Sequence, residues 1–272
     1  MKVALIQMTS GSDPDVNLAA LSSYIREAAE QGADFVLTPE VSNCITTDVA
    51  QREITLVTQS DDQMLAALQD TAHDVGIWLS LGSLSLKSDT ADPRLLNRSF
   101  LISPDGMIEA HYDKIHMFDA KVSETEAYRE SRAYQPGARA VVSETPIGTM
   151  GLTICYDLRF PHLYRKLARA GAEILLVPSA FSPVTGVAHW ESLLRARAIE
   201  TGCFVLAAAQ TGQNTPNRAT YGHSMAISPW GEVLCDAGIG TGITYVDLDL
   251  SKVAKARQRI PSLLSDADFE GP

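Results

Sequence analysis

Positive charge and cysteine are scarce in this sequence, and each shortage excludes a class of protein. The 272 residues include 22 basic and 33 acidic side chains, which gives a net charge of −11. Nucleic acids and anionic membranes are bound through basic surfaces, so we expect neither as a partner. The four cysteines form no CxxC pair and have no spacing to histidine that suggests zinc, so we expect no metal. A small anionic substrate is not excluded, because it responds to local arginines and lysines.

Long apolar runs and cofactor motifs are also absent. No stretch approaches the roughly 18 consecutive apolar residues of a membrane span, and the first apolar segment, residues 2–7, is too short for a signal peptide. We therefore expect a cytoplasmic protein whose cysteines stay reduced. The sequence has no P-loop and no GxSxG elbow, and its glycine-rich segment, residues 238–242, precedes a strand-like stretch and is predicted to be a loop. We expect no cofactor.

Strand-like and helix-like segments alternate along the whole chain. No Pro- or Ser-rich linker, low-complexity segment or internal repeat interrupts them, so we predict one domain over residues 1–272. The periodicity predicts strands at 3–8, 35–40, 76–86, 173–179 and 203–210, helices at 15–31, 61–74, 161–170 and 187–200, and hairpin turns at 104–106 and 229–231. Alternation of this kind indicates an α/β protein in which helices cover a mixed sheet.

The segment GLTICYDLRFP, residues 151–161, contains a candidate nucleophile. A small apolar strand is predicted to end at Cys155, and Pro161 can open a helix. The carboxyl end of a strand faces ligands in open α/β sheets, and a helix start nearby favours thiolate over thiol. A lone cysteine is more often a buried structural residue. Two further segments change that balance, because Glu40 and Lys114 each follow an apolar strand-like stretch.

These three segments resemble the nitrilase superfamily of carbon–nitrogen hydrolases. The resemblance rests on FVLTPE at 35–40, YDKIHMFD at 112–119 and GLTICYDLRFP at 151–161, and it runs from Met1 to about Pro261. Downstream segments that also resemble the family are PSAF at 178–181, TGVAHWESLLRARAIE at 185–200, AAAQTG at 207–212, YGHSM at 221–225 and PWGEV at 229–233. The implied fold is a four-layer α-β-β-α sandwich, with two stacked sheets between two helix layers.

The resemblance implies amide hydrolysis by a Glu, Lys, Cys triad. Cys155 would attack the carboxamide carbon and form a thioester, with Glu40 as general base. Lys114 would lower the pKa of the thiol and neutralise the oxyanion, together with the backbone N–H of Tyr156. A second family glutamate that orients substrate or water corresponds to Glu130; its alternative is a carboxylate on a helix surface. The resemblance also implies a homodimer or higher homo-oligomer, with the helix at 187–200 at the interface.

Substrate contacts are predicted for Tyr156, Arg159, Phe181 and Thr185. Arg159 could bind an anionic substrate through a bidentate contact, or it could pair with Asp157, and both alternatives stay open. Three histidines lie near family motifs, but the triad already supplies a base, so we predict structural roles for His116, His189 and His223.

The residues after the cysteine, CYDLRFP, resemble the Nit branch of the superfamily. Segments 178–181 and 207–212 are more similar to members that hydrolyse deaminated glutathione to 2-oxoglutarate and cysteinylglycine. The alternatives are an ω-amidase acting on 2-oxoglutaramate or 2-oxosuccinamate, and a non-catalytic protein-binding member of the fold. A non-catalytic member would be expected to lack a triad residue, whereas this chain keeps all three.

Overall fold

The computed structural model describes residues 1–124, 126–265, 267 and 270–271. These residues form two six-stranded sheets and two short hairpins. The first sheet has the order β16-β1-β2-β3-β4-β5 and contains β1 (Lys2–Gln7), β2 (Phe35–Leu37), β3 (Trp78–Leu86), β4 (Leu96–Ile102), β5 (Ile108–Asp113) and β16 (Gly242–Asp247). The second has the order β15-β14-β11-β10-β9-β8 and contains β8 (Val141–Thr145), β9 (Gly148–Leu152), β10 (Ile174–Leu176), β11 (Phe204–Ala207), β14 (Met225–Ile227) and β15 (Val233–Asp236). The hairpins pair β6 (Asp119–Lys121) with β7 (Ala127–Arg129), and β12 (Thr211–Thr215) with β13 (Arg218–Tyr221).

Six α-helices are present in the described part of the chain. They are α1 (Pro14–Glu30), α2 (Val49–Thr55), α3 (Gln63–Val75), α4 (Pro161–Arg169), α5 (Pro183–Thr201) and α6 (Ser251–Arg259). Short 3₁₀ helices occur at Gln59–Asp61, Glu130–Arg132, Cys155–Arg159 and Ser262–Leu264. Among the described residues, none of the helices combines the length and the apolar character needed to cross a bilayer.

The alternation of side chains in β1 shows how the layers are held together. Val3 and Leu5 belong to an apolar cluster that includes residues of the second sheet and of α4 and α5. Ala4 and Ile6, on the opposite face of the strand, belong to a cluster with residues of α1 and α3. Because successive side chains of a strand point to opposite faces, one sheet buries both faces, against a second sheet and against helices. The predicted four-layer α-β-β-α arrangement is thereby confirmed.

Most predicted elements are present, and the clearest difference is the start of α5. The helix begins at Pro183, four residues before the predicted start at Val187. Gly186 lies inside the helix, where the ring of Tyr221 packs against it. A Cβ at this position would lie 2.2 Å from Tyr221 Cγ. The glycine therefore provides close helix packing, and the proline occupies the first helical turn, where its missing N–H costs nothing.

Candidate active site

Three strand ends of the two sheets meet at one cavity. Glu40 lies three residues after β2, Lys114 directly after β5, and Cys155 three residues after β9. These residues line a cavity of about 540 Å³, together with Glu130 and Ala180. The structure therefore brings together the four predicted catalytic residues, although they come from four separate parts of the chain.

Cys155 is held in an unusual backbone conformation. The predicted strand end at Cys155 is wrong, because β9 ends at Leu152 and Cys155 is the first residue of the 3₁₀ helix Cys155–Arg159. Its φ is 49°, in the left-handed region that costs a non-glycine residue about 1–2 kcal/mol. The Cys155 N–H donates to Pro178 O (2.9 Å), which ties the turn to the segment after β10. A strained backbone conformation persists where the surrounding contacts hold it in place. At Cys155 this conformation directs the thiol into the cavity.

The carboxylate of Glu40 is buried and fully hydrogen-bonded. Its Oε1 accepts from Lys114 Nζ (2.9 Å) and Asn97 Nδ2 (2.9 Å), and its Oε2 accepts from the Ala180 N–H (2.8 Å). Burial raises the pKa of Glu40, but the Lys114 charge and these hydrogen bonds outweigh it and hold the pKa below its ordinary value. Glu40 is therefore an ionised carboxylate at neutral pH.

The backbone around Glu40 is fixed by close packing. Residue Val41 has a φ of 53°, and its N–H donates to Ser83 Oγ (2.8 Å). β3 approaches so closely that a Cβ at Gly82 would lie 1.9 Å from Thr38 O. Only glycine fits at position 82. The close contact between β3 and the segment after β2 fixes the position of the backbone that carries Glu40.

Lys114 joins two carboxylates. Its Nζ donates to Glu40 Oε1 (2.9 Å) and to both Glu130 oxygens (2.8 and 2.9 Å), and the side chain is 2% exposed. Burial lowers the pKa of Lys114, but the charges of Glu130 and Glu40 raise it well above its ordinary value. The Glu130 carboxylate also accepts from the Phe118 N–H (2.5 Å). Glu130 begins a 3₁₀ helix, but its carboxylate binds the buried ammonium and is not a surface group.

The surroundings of Cys155 do not lower the pKa of its thiol, contrary to the prediction. Burial and the negative charge of Glu40 raise the pKa of Cys155 well above its ordinary value, and the opposing effect of Lys114 is smaller. The helix that was expected to favour thiolate begins at Pro161, six residues further on, so its first turn is not at the sulfur. The site at rest therefore holds a neutral thiol beside an ionised carboxylate and an ammonium.

Comparison with known proteins identifies the family. Residues 2–258 match the family described as Carbon-nitrogen hydrolase. The chain belongs to this family. An enzyme of Yersinia enterocolitica named deaminated glutathione amidase is 38% identical over 262 residues, which are 96% of this chain and 91% of that enzyme. The predicted resemblance to carbon–nitrogen hydrolases is confirmed.

Solved structures of related carbon–nitrogen hydrolases agree with the fold. The NitFhit protein of C. elegans has a TM-score of 0.90 and 38% identity; the match covers 96% of this chain and 63% of NitFhit. A variant of an amidase from Nesterenkonia sp. AN1 has a TM-score of 0.79 and 28% identity, over 96% of this chain and 98% of that chain. That structure is described as showing Michael addition of acrylamide at the active site cysteine.

The carbon–nitrogen hydrolase site contains one positioning residue that the sequence analysis missed. Asn97, on β4, donates to Glu40 through its side chain, and its carbonyl oxygen accepts from the Lys114 N–H (3.0 Å). One residue thus orients both charged partners of the thiol. Its only signal in the sequence is a polar residue at the start of an apolar strand, which does not reveal the contact with Glu40.

The four side chains predicted to contact the substrate lie outside the described lining of the cavity. None of Tyr156, Arg159, Phe181 and Thr185 is among the described residues that line the cavity. The ring of Phe181 packs on Trp190 in the core (4.7 Å between centroids), and the buried Thr185 hydroxyl donates to Ser182 O (3.4 Å). The side chain of Tyr156 packs on Phe118, which does line the cavity, so Tyr156 supports the wall.

Of the two alternatives for Arg159, the pair with Asp157 does not match its contacts. The carboxylate of Asp157 already accepts from Tyr112 Oη (2.7 Å) and contacts His116 Nδ1 (2.7 Å). The Arg159 guanidinium lies over the rings of Tyr156 (5.9 Å) and Phe181 (5.7 Å). Arg159 forms no ion pair with Asp157, and its binding of an anionic substrate stays a prediction.

The three histidines that were predicted to be structural make contacts with other side chains. His116 also stacks on Phe160, with ring centroids 3.6 Å apart. His189 Nδ1 lies 3.3 Å from Arg159 Nη2, and His223 Nδ1 lies 2.9 Å from Asp236 Oδ1. The described residues contain no group of three histidine, cysteine or carboxylate side chains suited to a metal ion.

Proposed function

We propose that this carbon–nitrogen hydrolase cleaves the γ-glutamyl-like amide of deaminated glutathione, giving 2-oxoglutarate and cysteinylglycine. The observation that carries the proposal is the arrangement of Cys155, Glu40 and Lys114 at one cavity, in a chain 38% identical over 262 residues to a deaminated glutathione amidase. The Nit-like segments of the sequence support the same assignment.

The proposed acylation uses Glu40 as a proton shuttle. Glu40 accepts the thiol proton as Cys155 Sγ attacks the amide carbon, and the resulting oxyanion is stabilised by Lys114 Nζ and the Tyr156 N–H. The Tyr156 N–H belongs to the first turn of a 3₁₀ helix, where backbone donors have no partner within the helix. When the C–N bond breaks, Glu40 returns the proton to the departing amine of cysteinylglycine and a thioester remains on Cys155.

The proposed deacylation reverses these roles. Glu40 takes a proton from water, the hydroxyl adds to the thioester carbon, and the C–S bond breaks as Glu40 protonates the sulfur. Glu130 keeps Lys114 in place through both steps, because its two oxygens hold the ammonium. The products are 2-oxoglutarate and a regenerated thiol.

A broad pH plateau is expected for this site. Glu40 must be ionised to act as a base, and its lowered pKa keeps it ionised down to below the ordinary value of 4.5. The raised pKa of Cys155 keeps the thiol protonated above the ordinary value of 9.0, and Lys114 stays charged. The value of kcat/KM for 2-oxoglutaramate is therefore expected to be constant between about pH 5 and pH 9. An acid limb near pH 6.5, the ordinary pKa of histidine, would instead indicate a histidine base.

A substrate comparison tests the proposed activity directly. Purified protein is expected to hydrolyse deaminated glutathione with a higher kcat/KM than 2-oxoglutaramate or 2-oxosuccinamate, measured by release of cysteinylglycine or ammonia. The opposite ranking would move the enzyme to the ω-amidases. Absence of turnover with all three amides would favour the non-catalytic alternative.

We further propose a homodimer that forms through the outer face of α5, in a reducing compartment such as the cytoplasm, where the thiol stays free. Val184 and Val187 on this helix are 48% and 77% exposed. A charged residue at this face should weaken association, so Val187→Glu is expected to sediment as a monomer. Val16→Glu, at an exposed position of α1, is the matched control and should not change the oligomeric state. A monomeric wild-type protein would contradict the proposal.

A further inference from the structure

The catalytic cavity differs in charge from the rest of the molecule. Its described lining contains five cationic side chains and three carboxylates, a net charge of +2, whereas the whole chain carries −11. The carboxylates are Glu40, Glu126 and Glu130, and the cations are Arg52, Lys114, Arg129, Arg132 and Arg218. A cavity of opposite sign to its protein concentrates anions, since its walls focus the local field.

Two of these cations are half-buried and have no partner within the described part of the chain. The Lys114 charge is balanced by Glu40 and Glu130, and Arg129 and Arg132 are exposed to solvent. Arg52 and Arg218 are half-buried, and neither makes an ion pair or a side-chain hydrogen bond with any described residue. By contrast, Arg98, which is also half-buried, forms a bidentate pair with Asp113 (2.7 and 2.8 Å).

The two arginines reach the same wall of the cavity from different elements. Arg52 is on α2, and Arg218 is the first residue of β13. Each lowers the pKa of Tyr134, which burial raises overall, so both guanidinium groups lie within electrostatic reach of one hydroxyl. Tyr134 lines the cavity, and its hydroxyl is fixed by a hydrogen bond with Ser85 Oγ (2.7 Å). Two unpaired guanidinium groups therefore belong to the lining of the cavity that also contains Glu130 and Tyr134.

The neighbouring carboxylate does not neutralise them. Glu126 Oε1 accepts from Ser182 Oγ (2.7 Å) and from the Tyr128 hydroxyl, and it makes no ion pair with a described arginine. A guanidinium group binds a carboxylate through two parallel hydrogen bonds, and such charge-assisted pairs are the strong ones. The ligand chemistry that fits this part of the cavity is a carboxylate.

We propose that Arg52 and Arg218 form a carboxylate clamp that binds an acid group of the amide substrate. The choice of substrate rests on the proposed function, since deaminated glutathione carries one carboxylate on its 2-oxo acid half and another at the end of its leaving group. The clamp places anion recognition in the lining of the cavity itself, to which Arg159 does not belong. The arginine pair then determines the preference of the enzyme for anionic over uncharged amides.

Binding of the two product halves to the wild-type enzyme tests the clamp without turnover. Calorimetric titrations with 2-oxoglutarate and, separately, with cysteinylglycine measure each carboxylate source alone. We expect Arg52→Ala and Arg218→Ala to weaken binding of at least one half by about tenfold or more, the loss of a charge-assisted pair. The Arg218→Lys variant keeps the positive charge but not the planar guanidinium group, so its loss of binding affinity should be intermediate.

Arg26→Ala is the control of equal charge change. Arg26 pairs with Asp74 on the outer helices (3.2 Å), and its loss should leave both titrations unchanged. Unchanged binding of both halves in Arg52→Ala and Arg218→Ala, or an equal loss in Arg26→Ala, would overturn the clamp. If either alanine variant lost its native circular dichroism spectrum, the test would rest on Arg218→Lys. Wild-type binding affinity in that variant would count against the clamp.

Failure of the proposed function gives a different pattern. If the enzyme does not hydrolyse deaminated glutathione but 2-oxoglutarate binding still depends on both arginines, the substrate assignment falls and the clamp stands. If deaminated glutathione is hydrolysed equally well by Arg52→Ala, Arg218→Ala and wild type, the function stands and the clamp falls.

Discussion

Replacing Cys155 with alanine is expected to abolish amide hydrolysis and leave the fold intact. The change removes the only atom proposed to bond to the amide carbon, so no thioester can form. The side chain is small and 7% exposed, and alanine fits in its place without a clash. Hydrolysis of deaminated glutathione should fall below detection, while the midpoint of thermal unfolding stays within a few degrees of wild type.

Cys235→Ala is the matched control for this experiment. Cys235 is half-buried on β15 and is not among the described residues that line the cavity. Its substitution should retain most of the activity. Measurable multiple turnover by Cys155→Ala would refute the thioester mechanism, whatever the control shows.

Glu40→Gln is expected to reduce amide hydrolysis and to make Cys155 more reactive towards alkylating agents. The amide keeps the shape of the side chain but cannot take a proton, and loss of a general base costs roughly 10²–10⁴-fold in rate. The negative charge of Glu40 is one of the causes of the raised pKa of Cys155, so its removal lowers that pKa. More thiolate is then present at neutral pH, and alkylation by iodoacetamide should be faster than in wild type.

The two measurements on Glu40→Gln distinguish a base from a structural residue. A collapsed cavity would slow both hydrolysis and alkylation. Slower hydrolysis with faster alkylation is the expected pair of results, because it requires an accessible thiol that has lost its proton acceptor. A variant that forms the thioester at the normal rate and fails only to release it would limit Glu40 to deacylation.

The grouping of Glu40, Lys114 and Cys155 could be predicted from the sequence better than the residues around them, for a physical reason. Glu40, Lys114 and Cys155 each lie just beyond a strand whose apolar pattern is local and readable, and strand ends meet at one edge of a fold of this class. Local pattern also located most helices. It failed for the backbone at Cys155, because a positive φ is imposed by neighbours such as Pro178, which are distant along the chain.

Residues around the substrate could not be predicted in the same way. Phe181 and Thr185 follow a strand end, as the catalytic residues do, but the start of α5 turns both side chains towards buried partners. Arg52 and Arg218 come from a short polar helix and a hairpin with weak periodicity, and only the tertiary fold places them at one cavity. An unpaired arginine can be recognised only when the partners of all other charged groups are known.

The shared hydrogen bonds of Lys114 have a consequence for how charge moves during turnover. At rest, one ammonium offsets part of the charge of two carboxylates, and the side chains of Lys114 and Glu40 are almost fully buried. In the proposed mechanism, Glu40 accepts the thiol proton, and its hydrogen bond with the ammonium weakens as a negative oxygen forms on the substrate. Lys114 can then follow the charge from one anion to the next, while Glu130 keeps it tethered. The net charge of the reacting groups stays constant through the cycle. The surrounding dipoles of the protein therefore need to reorient very little.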